Sequence, residues 1–153
     1  MGLLHEILNL TRRTQAYVAN KMSIWPASTL LVCQFVSGAL ADAWGVWAQV
    51  TDTGANLLST DFVTRAGFLD QACASNYTID TNIYEFEIGW GTVPTVIARA
   101  RFESATAATG PLPYFIDLRS EQIPAGQLIY YRMRDATGAG QINICFRYYF
   151  EVL

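Results

Sequence analysis

The chain has 153 residues, 52% of them apolar and only 15% charged, with a net charge of −3. That length suits one domain with a core of its own, and the acidic balance excludes an electrostatic nucleic-acid footprint, which needs a basic face. Soluble domains usually carry roughly 25% charged residues, so a chain this poor in charge is expected to hide surface in an oligomer or on a larger assembly.

Residues 1–25 form the first region, an N-terminal arm. Leu3, Leu4, Ile7, Leu8 and Thr11 follow helical spacing, which predicts a short amphipathic helix. The segment from Arg12 to Ser23 is more polar and lacks a clear period. An arm of this kind either packs on a neighbouring subunit or closes one end of the core. On the first reading Leu3, Ile7, Arg12, Arg13 and Tyr17 are its contact residues. Met1 to Leu10 lacks the basic start and unbroken apolar stretch of a secretory leader. No apolar run approaches the ~18 residues of a membrane span. Synthesis in a cytoplasm is therefore expected, and no membrane partner.

Residues 26–153 form the second region and alternate with period two. Strand-like runs occur at 28–37, 43–51, 61–66, 82–90, 94–103, 112–119, 127–134 and 141–152. Turn signals such as Thr53-Gly54, Trp90-Gly91, Pro124-Ala125-Gly126 and Thr137-Gly138 separate them. Short strands at this spacing predict an all-β antiparallel β-sandwich, jelly-roll-like. Leu57 to Ile79 fits either a strand or a short helix.

The last run assigns faces best. Ile142, Ile144, Phe146, Tyr148, Phe150 and Val152 share the core side, and Arg147 and Tyr149 the outer side, where Arg and Tyr suit a protein interface. In 94–103, Val96, Ala98, Ala100 and Phe102 are expected inside, with Ile97, Arg99 and Arg101 outside. In 127–134, Ile129, Tyr131 and Met133 form the core face and Tyr130, Arg132 and Arg134 point outward. Trp44 and Trp47 would take opposite faces of a regular strand, which makes one core and Trp47 a contact candidate; Trp90, between two glycines, is another.

Chemistry is sparse. His5 is the single histidine and lies far along the chain from any partner for a nucleophile. Cys33, Cys73 and Cys145 are odd in number and widely spaced, which argues against a disulfide framework. Cys33 and Cys145 read as small buried strand residues. With no CxxC or His-Cys cluster, no metal and no cofactor are expected. Glu85 and Glu87 share a strand face and could flank a sugar as a hydrolase pair. The competing reading sets them against Arg99 and Arg101 as a cross-strand charge ladder, worth ~0.2–1 kcal/mol per pair. On that reading the chain is not an enzyme.

Three short elements then stand out in order: Trp44-Gly45-Val46-Trp47, Ile88-Gly89-Trp90-Gly91, and Ile123-Pro124-Ala125-Gly126 followed by Arg132. Over roughly residues 36–150 this order resembles tailed-bacteriophage virion proteins, β-sandwich accessory proteins of the capsid decoration (cement) type. Trp90 and Gln127 depart from the pattern, which has small residues there. The resemblance implies a structural subunit, commonly a homotrimer, that binds the major capsid protein on the capsid surface of the virion and stabilises it. The alternative it leaves open is a tail, collar or head-fibre protein that binds host glycans through Trp47, Trp90 or Tyr149.

Overall fold

Alternation of apolar and polar residues commits most of the chain to strands. The computed structural model describes residues 3–19, 22–105 and 113–151, except the side chains of 13 and 15–19. In chain order come α1 (Leu3–Ala19), β1 (Ser23–Trp25), β2 (Cys33–Val36), β3 (Ala48–Gln49), a 3₁₀ turn (Leu58–Phe62), β4 (Gly67–Ser75) and β5 (Ile83–Trp90). They are followed by β6 (Thr95–Glu103), β7 (Tyr114–Asp117), β8 (Ile129–Asp135) and β9 (Gln141–Phe150).

The strand pairing is nested. β5 pairs with β6, β4 with β7, β3 with β8 and β2 with β9, all antiparallel. Two more pairings, β4 with β9 and β5 with β8, roll this ribbon into facing sheets. Sheet A runs β1–β9–β4–β7, with β2 also on β9, and sheet B runs β3–β8–β5–β6. The expected all-β sandwich is therefore present, with jelly-roll winding and a helix at its N-terminal end.

Between the sheets the side chains are aromatic and aliphatic. Phe35 stacks on Tyr131 at 3.7 Å and meets Phe86 edge-on at 5.5 Å, a geometry that adds about 0.5–1.5 kcal/mol per pair beyond area burial. The Tyr131 hydroxyl is not orphaned by burial, because it accepts from the Val36 N–H at 3.3 Å. Ile129, Tyr131 and Met133 form the buried row of β8 as expected, and Ile142, Ile144, Phe146 and Tyr148 that of β9.

Several expectations need correction. Residues 61–66 are not a strand: a 3₁₀ turn ends at Phe62, and the strand is β4, inside the segment that fitted either a strand or a helix. The run 28–37 shortens to β2, because the Leu31 N–H bonds to the Ser28 carbonyl in a turn. The run 43–51 shortens to β3, because Gly45 donates its N–H to the Met133 carbonyl and the chain lies across β8. In β6, Ile97 is buried and Val96 exposed, the reverse of the expected faces. A bulge explains this: Ile88 pairs with Ala98 but Gly89 with Val96, which leaves Ile97 as the extra residue. Cys145 is half-buried, not buried like Cys33, since it falls on the outer face of β9.

Asp135, at the end of β8, is 1% exposed and holds the sandwich together at one corner. Its carboxylate accepts hydrogen bonds from the Ser37 hydroxyl, from Asn82 Nδ2 at 2.9 Å, and from the N–H groups of Thr137 at 2.9 Å, Gly138 at 2.6 Å and Gly140 at 2.9 Å. Burial pushes its pKa up, but these donors, Ser37 foremost, outweigh burial and hold it well below the usual carboxylate range. A depressed folded-state pKa gives stability that is present above the unfolded value of about 3.9 and is lost as pH falls below it. Asp135→Ala should cost at least about 3 kcal/mol by stranding these donors. In thermal melts, the stability lost by the wild type between about pH 5 and pH 2 should be visibly smaller in Asp135→Asn.

Candidate functional site

The outer face of sheet B gathers most of the polar chemistry. β5 contributes Glu85 and Glu87, β6 contributes Arg99 and Arg101, and β8 contributes Arg132 and Arg134. Register sets the pattern, because Glu87 lies opposite Arg99 on one side and Arg132 on the other, and Glu85 opposite Arg101 and Arg134. Residues two apart on a strand share a face, so the pairs align as two rows with a carboxylate between guanidinium groups.

The contacts largely follow this register. Arg132 Nε reaches Glu87 Oε2 at 2.6 Å, and Arg99 binds Glu87 Oε1 through Nε at 2.8 Å and through Nη2. Arg134 binds Glu85 Oε2 through Nε at 3.1 Å and Nη2 at 2.7 Å. The second partner of Glu85 is Arg99, at 3.6 Å, and not the in-register Arg101. Glu87 is fully buried, and burial pushes its pKa up. Hydrogen bonds from Arg99 and Arg132 and their charges outweigh that and hold it below the ordinary glutamate value. A general acid of a glycosidase needs the opposite shift. The cross-strand charge ladder is present, with Arg99, Arg132 and Arg134 around the two carboxylates.

Trp44 and Trp47 do not take opposite faces. The segment carrying them is not a regular strand, and both indoles flank Arg132, whose guanidinium carbon lies 4.8 Å from each ring. Arg134 lies 4.8 Å from the Trp44 ring as well. Each such cation–π contact adds about 0.5–2 kcal/mol depending on solvent access. Nothing in the sequence pairs these indoles with β8, because the approach depends on how 43–47 crosses that strand.

The three motif elements meet at this strand. Trp44 and Trp47 hold Arg132, Ile88 to Trp90 pair with Tyr131 to Ile129, and Ile123 to Gly126 lead into β8. Trp90 is half-buried against the core, and Tyr130 is half-buried beside the ladder.

The remaining candidates lie elsewhere. Leu3 and Ile7 are exposed on α1. Arg12 turns inward: it pairs with Glu151 at 3.6 Å and with Gln122 Oε1 at 3.5 Å, so it tethers α1 to its own sandwich. The side chains of Arg13 and Tyr17 lie outside the described residues. Arg147 is exposed on the outer face of sheet A. Tyr149 is 1% exposed and packs on its cross-strand partner Phe68 at 5.7 Å, which corrects its expected place on an open outer face. His5 is exposed. Among the described residues no group of three or more His, Cys, Asp or Glu side chains is placed to hold a metal ion, and no helix is long and apolar enough to cross a membrane.

The buried carboxylate makes the ladder testable. In a double-mutant cycle with Glu87→Ala and Arg132→Ala, denaturant melts should give a coupling of about 1–3 kcal/mol. Arg99, whose side chain is 60% exposed against 30% for Arg132, should couple less strongly to Glu87.

No family model matches the chain, and no curated protein matches it.

Proposed function

We propose that this chain is a structural virion subunit of a tailed bacteriophage, of the capsid decoration type, which binds the outside of the capsid and stabilises it. The observation that carries the reading is α1. Leu3, Leu4, Ile7, Leu8 and Leu10 are 46–80% exposed on a helix tethered to the sandwich through Arg12. Covering such a helix removes apolar surface from water at about 25 cal/mol per Å², and repetition over many identical sites multiplies that gain across the particle. The convergence of the three motif elements on β8 supports the same reading, because the segments that carry the resemblance form one packed unit.

The mechanism is adhesive. The helix lies along a neighbouring subunit, either another copy in a homotrimer or the major capsid protein, while the arginine-rich face of sheet B offers donors to carbonyl and carboxylate groups on the capsid. A ladder already held by Glu85, Glu87 and the two indoles loses little side-chain entropy on binding, which favours affinity. The subunit would reside on the capsid surface of a virion assembled in the host cytoplasm.

Quantitative gel densitometry of purified particles tests this directly. A decoration subunit should be present at on the order of hundreds of copies per particle. A few to tens would point instead to a tail, collar or fibre component, and absence from particles would overturn the proposal. Added back to expanded capsids that lack it, the protein should bind and raise their disruption temperature. Leu4→Asp and Ile7→Asp alter exposed positions, so the fold should survive while capsid affinity drops at least about tenfold.

A further inference from the structure

The outer face of sheet A carries an unexplained pair of thiols. Cys73 on β4 and Cys145 on β9 are direct cross-strand partners. Opposed residues of an antiparallel pair stand about 4.5–5.5 Å apart at Cα, inside the roughly 4.4–6.8 Å range that a disulfide bridges. Direct cross-strand partners share a face of the sheet, so the two side chains stand side by side. Both residues are half-buried and free.

The surroundings provide access. A small cavity of about 100 Å³ lies on one side, lined in part by Ile24, Phe115 and Arg147, and another of about 150 Å³ lies on the other, lined in part by Pro26, Val32 and Asn143. Both thiols line both cavities. Cys33 differs in every respect. It is fully buried, it pairs with Ile144 across β2 and β9, and burial pushes its thiol up to about 12.

We propose that Cys73 and Cys145 are a redox-responsive pair that closes to a cross-strand disulfide when the protein meets a small-molecule disulfide such as oxidised glutathione. One thiol loses its proton and attacks a sulfur of the glutathione disulfide, which releases one reduced glutathione and leaves a mixed disulfide on the protein. The second thiol, directly opposite on the neighbouring strand, then attacks the protein sulfur of that mixed disulfide and releases the second glutathione. The pair loses two hydrogens and two electrons, and the glutathione disulfide gains them.

Burial pushes the Cys73 thiol up to about 11, with Cys145 adding to the rise and Arg147 partly offsetting it. The thiolate is scarce near neutrality, so the exchange is slow there and quickens as pH rises, while the redox poise of the surroundings decides whether the bond stays closed. The bond would staple β4 to β9, the two inner strands of sheet A, and close the long loop from residue 73 to residue 145.

The full-length protein incubated with oxidised glutathione in mildly alkaline buffer tests this. After denaturation the free thiols should fall from three to one. The protein mass should drop by two hydrogens, proteolysis should release a peptide linked through Cys73 and Cys145, and the melting temperature should rise by roughly 5–15 °C. Cys33→Ala should form the bond unchanged, whereas Cys73→Ala and Cys145→Ala should stop at a glutathione adduct without the gain in melting temperature. The proposal is overturned if the wild type keeps all three thiols, stops at a stable mixed disulfide, or yields a linked peptide that contains Cys33. The wild type and Cys33→Ala decide the matter even if the other two variants fold poorly.

Discussion

The Asp135 carboxylate is the constraint on which the winding depends. It sits at the end of β8 in sheet B, yet it binds Ser37 just beyond β2 and Gly140 just before β9, both at strand ends of sheet A. It also binds Asn82, just before β5. One buried anion thus fixes the points where the chain crosses between layers. Local backbone has been fitted around it: Gly140 leaves room where a Cβ would lie 2.8 Å from the carboxylate and from the Tyr84 ring, and Gly138 takes a positive φ of 88° against the backbone of Ala39 to Ala41. A buried charge is tolerable only when its hydrogen-bonding capacity is filled, and here the turn between β8 and β9 supplies much of the filling.

The scarcity of charge in the composition has a structural counterpart. Three arginines and two glutamates on one face of sheet B bind each other, and Arg132 also packs on two tryptophans. The outer face of sheet A mixes Ile24, Phe115 and the two cysteines with Gln71, Asn143 and Arg147, and α1 exposes Leu3, Leu4, Ile7, Leu8 and Leu10. The charge is thus concentrated on one face, and the largest run of exposed apolar side chains lies on α1. The exposed apolar side chains of α1 are the physical content of the proposed role as an assembly subunit.

How legible this was in the sequence varied by element. β8 and β9 could be read because each buries alternate residues along most of its length, so periodicity maps directly onto the core. β4 could not. It lies between β9 and β7, a register shift at Leu69/Gln71 breaks its phase, and its first three residues are all buried. The same kind of local shift put Ile97 inside. Period two is a property of regular pairing, and a single bulge inverts the faces beyond it without any mark in composition.

The ladder was half legible for a related reason. Glu85 and Glu87, Arg99 and Arg101, and Arg132 and Arg134 each repeat with a spacing of two, and that spacing alone places each pair on one strand face. It does not decide which strand lies beside which, so Arg99 and Arg101 were expected as the partners while Arg132 and Arg134 were assigned only to an outer wall. The jelly-roll winding supplies the missing term by placing β5 between β6 and β8. With a guanidinium row on each side, the two carboxylates are enclosed, and a face that in sequence could be either a catalytic pair or a charge ladder becomes a buttressed wall.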